Sequence, residues 1–152
     1  MNRVRSGVTL IEMLIVVALI SLLAGLMFPS VSAGIDSLRL QQAASAISGF
    51  INTGLNRAER KQVLIELTVN KAENAMTMYS TEAGFSKRLE LPEGVRIIDI
   101  LPPEPANPNA PRRFLLYPGG APPRLGVVLE NRRNVRWIVR VDPMTGVPRI
   151  EK

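Results

Sequence analysis

A long apolar run near the start of the chain limits what the rest of it can fold into. From residue 8 to residue 28, 13 of 21 positions carry Leu, Ile, Val or Phe, and Glu12 is the one charged side chain. As an α-helix this run would rise about 31 Å, which matches the hydrocarbon core of a bilayer. The sequence therefore predicts a transmembrane helix over 8–29, preceded by a short basic leader over 1–7.

The carboxylate of Glu12 opposes membrane insertion of this run. The aliphatic and Phe side chains favour insertion by about 4–8 kcal/mol in total, whereas a carboxylate at the bilayer centre costs about 2.5–3.5 kcal/mol and less near the interface. Insertion is therefore favourable with Glu12 present. Because no Lys or Arg occurs between Val8 and Leu38, we expect no local side chain to act as its partner. Either Glu12 reaches the lipid headgroups, or its partner comes from another chain.

An ordinary secretory signal is the alternative for this N-terminus, with Ser32-Ala33-Gly34 as a weak cleavage site. The apolar core of such signals usually spans about 7–15 residues, which is shorter than this run, and Glu12 interrupts its start. Arg3 and Arg5 precede the run, so the positive-inside rule predicts a cytoplasmic N-terminus.

The residues after the apolar run have first helical and then strand periodicity. Pro29 would kink a helix or open it locally, but we expect the helix to continue as an amphipathic segment over about 35–62. Its apolar positions recur every three or four residues, which is typical of a helix face packed on a core. These positions are Leu40, Ala44, Ile47, Ile51, Leu55 and Ala58.

From residue 63 onward, apolar residues alternate with polar ones, which predicts a β-rich region over 63–152. The predicted strands are 63–69, 76–80, 95–100, 113–117, 125–130 and 135–141, with a short one near 147–150. The proline-rich stretch 102–111 is predicted to be an exposed loop within one domain, 30–152. The predicted fold is α+β: a long N-terminal helix packed on an antiparallel β-sheet or small β-sandwich.

The composition argues against an enzyme. The chain has 152 residues with no cysteine and no histidine, so it lacks thiolate ligands, disulfides and the usual general base. It contains no phosphate-binding loop, hydrolase motif or calcium loop. We therefore predict a protein without catalytic residues, bound metal or cofactor.

The C-terminal part of the chain is basic. From residue 112 to 152, nine Lys or Arg stand against three acidic residues. The simpler interpretation is a solvated sheet face; the alternative is a patch for an anionic partner such as nucleic acid, formed by Arg132, Arg133, Arg136 and Arg140. Trp137 could stack on a base, but it alternates with valines and is expected in the core.

The segment Ser-Gly-Val-Thr-Leu-Ile-Glu at 6–12 resembles the prepilin motif of type IV pilins and type II secretion pseudopilins. The resemblance implies that a prepilin peptidase in the membrane cleaves between Gly7 and Val8 and methylates the new α-amino group of Val8. It also implies that Glu12 pairs with the amino terminus of a neighbouring subunit during filament assembly. One departure is visible, since the first mature residue of these proteins is usually Phe.

Three shorter segments resemble those of H-type minor pseudopilins and FimT-like minor pilins: 55–59 in the helix, Leu-Tyr-Pro-Gly-Gly at 116–120, and Thr-Gly-Val at 145–147. The resemblance implies a minor pseudopilin of the type II secretion system. Such a subunit is anchored in the bacterial inner membrane, with a periplasmic C-terminal domain, before it joins the pseudopilus. The implied partners are other pseudopilins or pilins, the prepilin peptidase and inner-membrane lipid. The alternatives are a minor type IV pilin involved in pilus assembly or DNA uptake, and an anchored periplasmic module unrelated to filaments.

Overall fold

A computed structural model of the chain describes residues 8–82, 84–104 and 107–152, with residues 26–31 described by their backbone alone. Within these residues it contains one helix, α1 (Leu10–Lys61), and eight strands. The strands are β1 (Ile65–Asn70), β2 (Ala75–Ser80), β3 (Ser86–Glu90), β4 (Val95–Leu101), β5 (Arg112–Leu116), β6 (Gly126–Asn131), β7 (Arg136–Val141) and β8 (Pro148–Glu151). The chain divides into two compact units, one up to Ile35 and one from Asp36 onward.

The first unit consists of the N-terminal half of α1. The helix passes through Pro29 without a break in its helical assignment, which confirms the expectation that it continues beyond this residue. The large apolar side chains between Val8 and Leu23 are each at least 47% exposed. No helix in the part of the chain that the structure describes is both long enough and apolar enough to cross a membrane. The predicted span over 8–29 includes residues 26–29, whose side chains lie outside the described part.

In the second unit, α1 packs on the sheets through the predicted apolar face. Leu40, Ile47 and Ile51 are buried, as are the alanines of this face, and Leu55 is half-buried against the core. Gly54 also lies on this face: a Cβ at this position would be 2.9 Å from Leu116 Cδ1 and 3.0 Å from Met78 Cε. The absence of a side chain at Gly54 therefore lets α1 approach β2 and β5 closely.

The strands form two four-stranded sheets, with the orders β3-β2-β1-β5 and β4-β6-β7-β8. Every neighbouring pair is antiparallel. One face of each sheet contributes to the same apolar core as α1; its buried side chains include Ile65, Leu67, Val69, Met76 and Met78 from the first sheet, and Val95, Ile97, Val127, Leu129, Val139 and Val141 from the second. The structure confirms the predicted α+β class.

One strand, β3, was not predicted. Its sequence, Ser-Lys-Arg-Leu-Glu, has four exposed positions and one half-buried residue, Leu89. Because β3 is at the edge of its sheet, it is held by backbone hydrogen bonds to β2 and buries little side-chain area. Charged residues are typical of edge strands, since they discourage pairing with other chains.

β1 begins two residues later than predicted, because a turn separates it from the end of α1. Gln62 adopts a left-handed conformation with φ 53°, and the Val63 N–H donates to the Ala58 carbonyl at 3.3 Å. This is a Schellman-type helix end, in which the residue after the helix is usually Gly. It explains why β1 begins at Ile65 and not at Val63.

An asparagine side chain connects the two sheets. Asn74, in the turn between β1 and β2, has φ 51°. Its Nδ2 donates to the Val95 carbonyl at 2.8 Å, and its Oδ1 accepts from the Ile97 N–H at 2.9 Å. The residues between the predicted strands 63–69 and 76–80 thus include one side chain, Asn74, that fixes the first strand of the second sheet.

Candidate functional site

The N-terminus of α1 is closed by a reciprocal pair of hydrogen-bonding residues. Thr9 precedes the helix, and both its N–H and its Oγ1 donate to Glu12 Oε2 at 3.0 Å. In return, the Glu12 N–H donates to Thr9 Oγ1 at 3.3 Å. This is a capping box, in which the two side chains satisfy backbone N–H groups that have no partner within the helix.

The expectation that no local side chain acts as a partner of Glu12 is therefore wrong. The partner is not a cation but the hydroxyl and backbone amide of Thr9. The Thr-x-x-Glu spacing before an apolar run was the signal for it. Glu12 Oε1 makes no hydrogen bond within the described residues.

The predicted cleavage point lies immediately before this capping box. Val8 is 67% exposed. Gly7, like the rest of the leader over 1–7, lies outside the described residues. The scissile bond between Gly7 and Val8 and the methylation of Val8 therefore stay predictions.

The structure places the four candidate arginines in different settings. Arg132 and Arg133 lie in the turn between β6 and β7, and Arg132 Nε is 3.0 Å from where a Cβ on Gly94 would be. Arg136 and Arg140 are exposed on the same face of β7, separated by about 13 Å of strand. Arg136 Nε pairs with Glu130 Oε2 at 2.7 Å, so one of the four guanidinium groups forms an ion pair within the protein.

Trp137 contributes to packing. It is half-buried against the core, in register with the buried Leu129. Lys152 Nζ lies 4.9 Å from the centroid of its ring. Tyr117 is 58% exposed in the β5–β6 connection.

The three short segments that resemble minor pseudopilins meet around one cavity of about 300 Å³. Residues from 55–59, 116–120 and 145–147 all contribute to its lining. Glu59 Oε2 accepts a hydrogen bond from the Gly119 N–H at 2.8 Å, which ties the β5–β6 connection to α1. The three segments lie far apart in the sequence, and the fold brings them together around this cavity. Among the described residues, no group of acidic side chains is arranged to hold a metal ion.

A family model described as the prokaryotic N-terminal methylation motif matches residues 2–28. Comparisons with curated proteins and with solved structures gave no significant match. The matched residues include Gly7, Val8, Thr9 and Glu12. The motif supports a prepilin of the type IV pilin-like class, and it implies a membrane-anchored precursor that is processed by a prepilin peptidase and assembles with other pilins.

Proposed function

We propose that this protein is a minor pseudopilin, a non-catalytic structural subunit of the type II secretion pseudopilus that supports protein export. The observation that carries the proposal is the methylation motif over 2–28, at the start of a helix that also packs on two antiparallel sheets. The resemblance of 55–59, 116–120 and 145–147 to H-type subunits supports the narrower assignment.

In this proposal the leader 1–7 is cytoplasmic, 8–29 crosses the inner membrane, and 30–152 is periplasmic. Cleavage after Gly7 would leave a methylated α-amino group on Val8. The exposed apolar side chains of the N-terminal half of α1 would then pack against the helices of neighbouring subunits, because a helix that is apolar all round needs an apolar surrounding.

In this proposal Glu12 has two roles, one in capping the helix and one in assembly. Thr9 holds Oε2, and Oε1 is left for the amino terminus of a neighbouring subunit. An unpaired carboxylate is costly where water is excluded. The pairing would therefore favour the one register along the filament in which an amino group meets Glu12.

Processing at Gly7–Val8 is the first test. Intact-mass analysis of the protein extracted from membranes of its native host should show a chain that begins with N-methylated Val8. Gly7→Glu should leave unprocessed precursor in the membrane. A mature chain beginning at Ile35, after the weak signal-type site, would contradict the proposal.

A second candidate, a minor type IV pilin that binds DNA, is favoured by the basic surplus over 112–152. Gene deletion in the native host separates the two. Loss of protein secretion with normal DNA uptake supports the pseudopilin, and loss of uptake with normal secretion supports the pilin.

A further inference from the structure

A cavity of about 290 Å³ opens at one end of the second sheet. Its apolar lining includes Leu101, Leu125, Val141 and Pro143. Two arginines, Arg124 and Arg140, also line the cavity. None of these residues belongs to the N-terminal motif, and only Arg140 was among the candidates from the sequence.

Strand register builds this cavity. The last residue of β4, Leu101, pairs with the first residue of β6, Gly126, which in turn pairs with Arg140 of β7. A Cβ on Gly126 would lie 3.0 Å from the Cβ of Leu101, which is tighter than ordinary van der Waals contact. The absence of a side chain at Gly126 therefore lets the Leu101 side chain pack directly against its backbone, and both residues line the cavity.

The two arginines differ from their neighbours in having no anionic partner. Arg136 pairs with Glu130 at 2.7 Å and Arg149 pairs with Asp142 at 3.0 Å. Within the described residues, the guanidinium groups of Arg124 and Arg140 form neither an ion pair nor a hydrogen bond, and both residues are exposed. A guanidinium group matches the geometry of a carboxylate and binds it through two parallel hydrogen bonds.

We propose that this cavity binds a peptide segment of a protein partner in which an apolar side chain adjoins a carboxylate. The apolar side chain enters the cavity, and the carboxylate pairs with Arg124 and Arg140. This inference does not depend on membership of a secretion pseudopilus.

The size and lining of the cavity favour this occupant. Its volume is near the lower limit of ligand pockets, at about 300 Å³, and equals that of about ten water molecules at roughly 30 Å³ each. It therefore accepts one or two aliphatic side chains. Phosphate contacts to a nucleic acid require clustered cations and no apolar recess, so the apolar lining favours a protein segment over DNA.

The test uses the full chain in lipid nanodiscs and a fluorescein-labelled peptide, Gly-Ser-Leu-Glu-Leu-Ser-Gly, measured by fluorescence anisotropy. Two matched peptides carry Gln in place of Glu, or Ser in place of both Leu residues. We expect the parent peptide to bind and each matched peptide to bind about tenfold more weakly or worse. The Gln peptide loses a hydrogen bond to a charged group, and the Ser peptide loses the burial of an aliphatic side chain.

Arg140→Gln and Arg124→Gln should each weaken binding of the parent peptide by about tenfold. Arg133→Gln is the matched control, because it removes the same charge from an exposed turn away from the cavity, and it should leave binding unchanged. No binding at millimolar peptide, or equal losses from all three variants, overturns the proposal. Duplex DNA that binds more tightly than the peptide, with the same dependence on Arg124 and Arg140, overturns it as well.

Discussion

At the scale of single residues, Thr9 and Glu12 combine a structural role with the proposed role in assembly. A threonine at the N-cap stabilises a helix by about 0.5–2 kcal/mol relative to alanine. The same hydrogen bonds fix the orientation of the Glu12 carboxylate. Removing the Glu12 carboxylate and removing the Thr9 hydroxyl that orients it should therefore reduce assembly to different degrees.

We expect Glu12→Leu to keep the protein in the membrane, because the helix becomes more apolar, and to reduce its cross-linking to the other subunits of the filament. Thr9→Ala should also reduce incorporation, but less, since the carboxylate remains. Thr9→Ser should restore it, because the hydroxyl is kept. Thr53→Ala, which removes another helix hydroxyl, is the control. Incorporation of Glu12→Leu at the wild-type level in competition would refute the pairing.

Asp142 predicts how stability depends on pH. Its carboxylate accepts hydrogen bonds from the N–H groups of Met144 and Thr145 and lies 3.0 Å from Arg149. The two backbone hydrogen bonds, and then Arg149, lower the pKa of Asp142 below its ordinary value. A carboxyl whose pKa is lower in the folded state stabilises the fold above its unfolded pKa, and this contribution is lost as the pH falls through the folded pKa.

Thermal unfolding of the wild type and of Asp142→Asn should therefore differ most near neutral pH. The difference should narrow as the pH falls below about 4, the ordinary pKa of an Asp carboxyl, because the wild-type carboxyl then takes up its proton. Asp36→Asn, at a partly exposed position of α1, provides a control for the loss of one negative charge. A difference that stays constant down to the lowest pH would show that Asp142 does not titrate as proposed.

At the scale of secondary-structure elements, local patterns predicted those elements that have a buried face. α1 was expected to end near residue 62 and ends at Lys61, and β2, β4, β6 and β7 lie within one or two residues of their predicted bounds. β3 was not predicted, because its position depends on backbone pairing with β2 and not on its own side chains. The role of Asn74 was not predicted either, because the hydrogen-bond partners of its side chain are about twenty residues further along the chain.

Asn74 allows the connection between the sheets to be tested. Asn74→Gly keeps the positive φ accessible but removes both hydrogen bonds to β4, so it isolates the contribution of the amide. We expect a loss of about 1–3 kcal/mol in the free energy of unfolding, because the partly buried Val95 carbonyl and Ile97 N–H lose their partner. Denaturant titration with an unchanged m-value measures it. Asn109→Gly, in the exposed loop before β5, should change stability far less, and an equal loss would contradict the role of Asn74.

At the scale of the whole molecule, the two candidate sites differ in how they arise. Gly7, Val8, Thr9 and Glu12 are neighbours in sequence, so a motif was enough to find them. The cavity beside Arg124 and Arg140 exists because register places Leu101, Gly126 and Arg140 in one row across three strands. Sequence spacing contains no sign of this row, since the row depends on which strands pair and on where each begins.

Salt-dependent binding to DNA would distinguish a DNA-binding pilin from the proposed pseudopilin. Binding of the full chain to duplex DNA through phosphate contacts would weaken steeply with salt, by a slope of about 0.9 in log Kd per log salt for each contact. If Arg132 and Arg133 both contact phosphates, replacing them together with Gln should flatten the slope by nearly two units, about 1.8, and weaken binding equally on unrelated sequences.

We expect binding to be millimolar or undetectable even at low salt. Glu130 already neutralises Arg136, and Arg140 is at the other end of β7, beside the apolar cavity. Few guanidinium groups therefore remain on one face to follow a phosphate backbone, and weak binding of this kind is what a solvated basic face produces. Micromolar binding at low salt, with the slope reduced by the Arg132 and Arg133 replacements, would instead support the pilin.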